Sequence, residues 1–463
     1  MVFSSTIFIF IYLPIALMLY YITPFKWRNL VLLIENLVFY GWGEPVYVFL
    51  MLASVAVDYF LALMIERSHN KGEKGKKWLI ISIIINIGLL VFFKYLTFIC
   101  DTLNALFSLN IALKMNIVMP IGISFYTFQK MSYVIDVYRN DCKAQHNFTA
   151  FGTYVSLFPQ LIAGPIVKYR DVAEQMETRN TSVDKFSDGV CVFIVGLCKK
   201  VLLANSIGIL WDTLYNSGNL SVLGAWLAVA AFTFQIYFDF SGYSDMAIGL
   251  GKMLGFEFKE NFDYPYISKS ATEFWRRWHI SLSTWFREYV YIPLGGNRKG
   301  KLRWYINILI VWAATGLWHG ASWNFIAWGL FYAFWLIIEK LFLLKHLEKG
   351  RILPHIYAIL IAMLGWALFA CNSLSEGLTL IGSMFGIGVS ALASQSDIFY
   401  LVSYMPLFVI LIIASSPLVK NAFLCIPEKS RNVLTLILCL FGLILCTASI
   451  ISSGYNPFLY FRF

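Results

Sequence analysis

Residues 304–338 read WYINILIVWAATGLWHGASWNFIAWGLFYAFWLII, without one charged side chain in the run. A membrane-crossing helix needs about 20 apolar residues, and this run holds far more. Lys299, Lys301 and Arg303 precede it, and Lys340 and Lys345 follow it. Lys and Arg collect in cytoplasmic loops, so both ends of the run belong on one side. The run therefore reads as a hairpin of two short helices that dip into the bilayer and return, with His319 near the deepest point, or as one helix. Irregular backbone at that depth is tolerated only against protein or a water-filled cavity.

The chain around it has the same character. Of its 463 residues 59% are hydrophobic and 13% charged, against roughly 25% charged in soluble domains. Further apolar runs lie at 3–22, 29–41, 45–65, 78–99, 116–138, 187–211, 222–251, 354–371, 398–415 and 433–452. A Gly/Ser-rich stretch at 378–394 reads as re-entrant. The pattern predicts an all-α polytopic membrane protein of about 10–12 transmembrane helices, with interfacial or re-entrant helices besides. Residues 3–22 lack a basic n-region and a cleavage site, so they read as a retained first span with the N-terminus outside. No internal repeat or soluble module appears, and 1–463 reads as a single domain.

A formal charge of +10 would suggest nucleic acid in a soluble protein. Here the bases cluster in short loops. Lys26 and Arg28 lie in the first, none in GWGEP (41–45), and five in ERSHNKGEKGKK (66–77). That alternation orients helices against anionic lipid and displaces the nucleic-acid reading. Segment 252–303 is too polar to span, and its bases interleave with Trp275, Trp278, Trp285 and Tyr289. It reads as a cytoplasmic interfacial segment of short amphipathic helices. Eight cysteines form no C-x-x-C pair, which points to buried thiols, with neither a metal site nor a disulfide framework.

The plain reading of His319 is a core residue with one satisfied hydrogen bond. Intramembrane ionisable groups are costly, however, and tend to face cavities. Trp312, Gly316, His319 and Trp323 fall at i, i+4, i+7 and i+11, one stripe if the helix is continuous. Gly320 and Ala321 leave room for close approach. A desolvated imidazole stays neutral, the form that accepts a proton as a general base. His279 sits beside Arg276 and Arg277, which suit an anion: a lipid headgroup or the phosphates of an acyl donor. Asp239 and Asp245 read first as a buried network fixing helix packing, and second as support for the histidine. Lys199 and Lys200 read as snorkelling side chains. No G-x-S-x-G, P-loop or dinucleotide fingerprint occurs.

WRRWHISLSTWFREYVYIPLGGNRKG (275–300) and TGLWHGASWNFIAWGLFY (315–332) resemble the membrane-bound O-acyltransferase superfamily. The likeness is to the bacterial branch of alginate O-acetyltransferase and teichoic acid D-alanyltransferase. FPQLIAGPIVKYRD (158–171), YFDFSGYSDMAIGLGKMLGF (237–256) and the ending NPFLYFRF (456–463) extend it over nearly the whole chain. The resemblance implies helices around a central funnel, with the essential histidine at His319 and a second at His279. It implies acetyl transfer from a cytoplasmic thioester to an extracytoplasmic, alginate-like polysaccharide, by a multi-pass protein of a bacterial inner (plasma) membrane. The donor would be acetyl-CoA or another acyl thioester, with no tightly bound cofactor. Partners would be a secreted or membrane-anchored acetyltransferase, membrane lipids and, on the cytoplasmic face, an acyl-carrier protein. Trp312, Trp318, Trp323 and Asn324 are candidates to line the passage, with Arg276, Arg277, Asp239 and Asp245 as further candidate contacts. Tyr460 reads first as part of an interfacial anchor and second as an element reaching the outer mouth. D-alanyl transfer and peptidoglycan O-acetylation remain open, as does a proton-coupled transporter or flippase, though transporters tend to show repeated halves.

Overall fold

The structure, a computed structural model, describes residues 1–109, 111, 117–162 and 164–459. It is helical throughout, and no strand occurs among the described residues. Among the described residues, eight helices are long and apolar enough to cross a membrane. They are Tyr47–Asn70, Lys76–Phe107, Val183–Tyr215, Val222–Met253, Trp323–Lys349, Leu353–Ala370, Gln395–Ala414 and Glu428–Ser452, with a shorter apolar helix at Phe8–Ile22. The remaining short runs carry Phe25–Gly41 and Ile123–Arg139. The all-α, multi-pass reading holds. The stretch 378–394 leaves helical geometry after Met384, with Gly386 at φ +87° and Gly388 at φ +76°.

Internal contacts gather the chain into two compact units, Met1–Phe193 with Met246–Lys259, and Ile194–Asp245 with Glu260–Phe463. In the first, Asp58 ties three helices together. Ser82 donates to its carboxylate at 2.6 Å and Asn86 at 2.8 Å, and Lys130 Nζ lies 3.4 Å away. Ser82 and Asn86 share a face at i, i+4, and a lone carboxylate would not be stable at such a position.

The second unit contains the run 304–338. It forms two helices, Lys301–His319 and Trp323–Ile338, the latter continuing to Lys349. The break falls at Gly320–Ser322, where Gly320 and Ser322 are extended (φ −166° and −155°). Two glycines let the helices close on each other. A Cβ on Gly316 would collide with the Phe325 carbonyl, and one on Gly329 with the Trp312 carbonyl. Small residues at such contacts trade side-chain volume for backbone approach. The hairpin is thus two packed helices, and its tight turn follows directly on His319.

Segment 252–303 is divided, its first residues belonging to the first unit. The rest forms short helices, as its sequence suggests: Ala271–Arg277 and Ile280–Phe286. Their aromatic side chains face inward. Phe274, Trp275, Trp278 and Trp285 are all buried, because the aromatic interior of this unit offers them edge-to-face partners.

Candidate active site

Glu339 positions the helix that precedes His279. It is fully buried, and it accepts from the Ala271 N–H at 2.6 Å, the Thr272 N–H at 2.8 Å and the Thr272 hydroxyl at 2.6 Å. Those N–H groups belong to the first turn of helix Ala271–Arg277, which has no intrahelical acceptor for them and favours an anion. The Tyr357 hydroxyl donates to the same carboxylate at 3.1 Å. The short helix is thereby pinned to the second arm of the hairpin.

At its far end the chain turns through His279, a non-glycine residue at φ +43°. Left-handed backbone at such a residue costs of order 1 kcal/mol or more and needs surrounding support. Asn261 supplies it. Its carbonyl accepts the Ile280 N–H at 2.9 Å, and its Oδ1 accepts the Ser281 N–H at 3.1 Å and the Ser281 hydroxyl at 2.9 Å. Those two donors fix the amide with its oxygen forward. The His279 Nδ1, 3.2 Å from that oxygen, is therefore the protonated nitrogen. Nε2 carries the lone pair, buried and with no hydrogen-bond partner among the described residues. Burial pushes the pKa of His279 from 6.5 down to about 3, so the ring is neutral.

His319 ends the first arm of the hairpin. Its ring packs edge-on against Trp318 (5.0 Å between centroids), Trp328 (5.1 Å) and Phe369 (5.3 Å). It lines a chamber of about 30 Å³ together with Asp239, Phe240, Trp278, Trp366 and Phe458. That volume holds a water molecule or two. Trp318 also meets His279 at 5.9 Å, so one indole touches both imidazoles. A second cavity, about 490 Å³, opens beside the same helix and includes Trp312 and Thr315 in its wall. Arg276, Arg287 and Lys340 line it as well, and among the described residues no carboxylate does. It is cationic with an apolar wall, one helical turn from His319.

The other candidates fall into distinct places. Arg276 faces the large cavity, whereas Arg277 is engaged by Glu273 at 3.0 Å and Asp263 at 2.8 Å. The four-residue stripe is corrected: the helix stops at His319, and Trp323 begins the next helix, 51% exposed. Asn324 donates to the Cys371 carbonyl at 2.8 Å and fastens the turn to the end of helix Leu353–Ala370. Asp245 pairs with Lys199 at 2.6 Å, and Asp239 with Lys200 at 2.8 Å. Lys200 is buried and does not snorkel, because a carboxylate meets it inside the fold. Tyr460 lies outside the described residues. The sequence reading did not offer Asn261, Glu339, Trp278, Trp366, Arg287 or Lys340 as site residues, although Trp278, Arg287 and Lys340 belong to its aromatic and basic clusters and Glu339 is an acid at the end of the apolar run.

A family model described as the membrane-bound O-acyltransferase family matches residues 142–375. A probable alginate O-acetylase of Azotobacter vinelandii is 43% identical over 392 residues, 84% of this chain and 79% of that protein. A peptidoglycan O-acetyltransferase of Helicobacter pylori is 33% identical over 428 residues, 84% and 81% respectively. A teichoic acid D-alanyltransferase of Streptococcus thermophilus is 29% identical over 247 residues, 49% and 58%. The chain belongs to the membrane-bound O-acyltransferase family. It is a multi-pass membrane O-acyltransferase.

Proposed function

We propose that the protein transfers an acetyl group from a cytoplasmic thioester to hydroxyls destined for an extracytoplasmic, alginate-like polysaccharide, in a bacterial inner membrane. The observation that carries this reading is one helix bordering two unlike compartments: a cationic cavity at Trp312 and Thr315, and a small, largely aromatic chamber at His319. The identity to alginate O-acetylases over most of the chain supports the acceptor. The family assignment displaces the transporter reading. D-alanyl transfer has weaker support, since that relative matches only 49% of the chain.

In this mechanism the phosphates of acetyl-CoA, or of a carrier-protein arm, sit against Arg276, Arg287 and Lys340. Arginine and lysine suit phosphate oxygens, and a wall without carboxylates keeps the site attractive to them. The thioester reaches past Thr315 toward His319. His319 accepts the proton of the acceptor hydroxyl as its oxygen bonds to the thioester carbonyl carbon. The C–S bond then breaks, and the proton passes to the leaving thiolate. Wall side chains must shift to admit the acetyl group. A thioester is already activated, so positioning and exclusion of water carry much of the catalysis. His279, with its lone pair fixed at Nε2, orients the reacting groups through Trp318. A secreted or membrane-anchored acetyltransferase completes delivery to the polymer.

The test replaces His319 with Ala in the full chain and measures ester content of the surface polymer, with mass identification of the acyl group. Loss of acetyl ester at unchanged protein level is expected. Retained acetylation would refute the assignment, and an alanyl mass would replace the acyl group.

A further inference from the structure

After helix Glu428–Ser452 the described chain continues without helix through 453–458 to Leu459, and side chains rather than a backbone ladder hold it. The Tyr455 hydroxyl donates to Asp212 at 2.6 Å, and Asn205 Nδ2 donates to Asn456 Oδ1 at 3.2 Å. Two residues do most of the seating. Lys200 Nζ donates to the Pro457 carbonyl and to Asn205 Oδ1 at 2.7 Å, and forms an ion pair with Asp239 Oδ1 at 2.8 Å. Asp239 Oδ2 accepts the Leu459 N–H at 3.0 Å. Phe458 stacks on Tyr243 at 4.5 Å, and Phe458 and Leu459 both line the chamber of Asp239 and His319.

A buried ion pair is no more stabilising than a well-packed apolar pair of the same volume. What an apolar pair lacks is a donor for the Pro457 carbonyl and an acceptor for the Leu459 N–H. We propose that Lys200 and Asp239 are positioning residues that seat the segment 455–459 as a wall of the His319 chamber. The inference rests on reading that chamber as the transfer site. It makes Phe458 and Leu459 part of the enclosure that excludes water from the reaction, and it separates Asp239 from proton chemistry.

The experiment uses the full-length protein in detergent, digested with a carboxypeptidase and followed by intact mass. The native chain retains Phe458 and Leu459, whereas Asp239→Asn and Lys200→Met lose both about tenfold faster or more, as local opening dictates. Asp397→Asn is the control for general destabilisation. Its carboxylate is buried in the same unit but accepts from Ser221 at 2.6 Å and from Ser394, so the tail stays protected. Acetyl transfer by Asp239→Asn and by Lys200→Met falls roughly 100-fold in kcat while KM for acetyl-CoA is unchanged, and Lys200→Arg, which keeps the cation, retains much of the activity that Lys200→Met loses. A protected tail in Asp239→Asn overturns the clamp whatever the activity. An exposed tail with native kcat overturns the wall. Activity retained in His319→Ala defeats the transfer reading, while the digestion still decides the clamp.

Discussion

The two imidazoles touch one indole and differ in what holds them. His279 is 1% exposed, in left-handed backbone, with Nδ1 committed to Asn261 and the orientation of that amide fixed by Ser281. His319 is 8% exposed, ends a regular helix, and forms part of a chamber wall. One ring is locked in a single tautomer by strained, well-supported backbone. The other is placed by helix packing beside space. The contrast separates orientation from reaction: a group that exchanges protons needs room at its ring, and a group that orients needs its ring fixed.

The largest effect expected from breaking this contrast is at His319. His319→Ala lowers kcat about 10³-fold in an acetyl-transfer assay on purified protein. A second variant attacks its placement. Gly316→Val drives a side chain into the Phe325 carbonyl, and it costs about 3 kcal/mol or fails to fold, as thermal unfolding in detergent would record. His279→Ala is milder, with kcat falling roughly 10- to 100-fold.

The neutral state of His279 gives a pH signature. Its folded pKa, about 3, lies below the ordinary 6.5, so between those values the unfolded chain binds a proton that the folded chain does not. The stability this ring contributes is complete above pH 6.5 and is lost as pH falls toward 3, by up to about 1.4 kcal/mol per pH unit. His279→Gln removes that slope, and melting curves from pH 7 to pH 4 compare the two. The smallest effect belongs to the cationic cavity. Arg276→Ala or Arg287→Ala raises KM for acetyl-CoA about tenfold with kcat little changed, and added salt weakens donor binding in the native protein.

Much of this was legible in the residues. The uncharged run 304–338 with bases at both ends allows a hairpin or a single helix, and the structure has two helices with the turn directly after His319. The short helices of 252–303 follow from their polarity. The stripe through Trp323 was not legible, because periodicity assumes an unbroken helix and says nothing of where Gly320–Ser322 leaves it. Lys200 was misread for a related reason. A lysine in an apolar run snorkels only when nothing inside the fold neutralises it, and Asp239 is 39 residues away along the chain.

Composition and charge alone determined a multi-pass helical membrane protein, and the two histidine blocks marked the region proposed to carry its chemistry. Both depend on local composition and short-range spacing, which the chain displays directly. Tertiary structure alone decided that Asn261 sets the tautomer of His279, that Glu339 anchors the helix before it, and that Phe458 and Leu459 close the chamber of His319. Each is a contact between distant segments, created when helices pack and buried polar groups find the partners they need away from water.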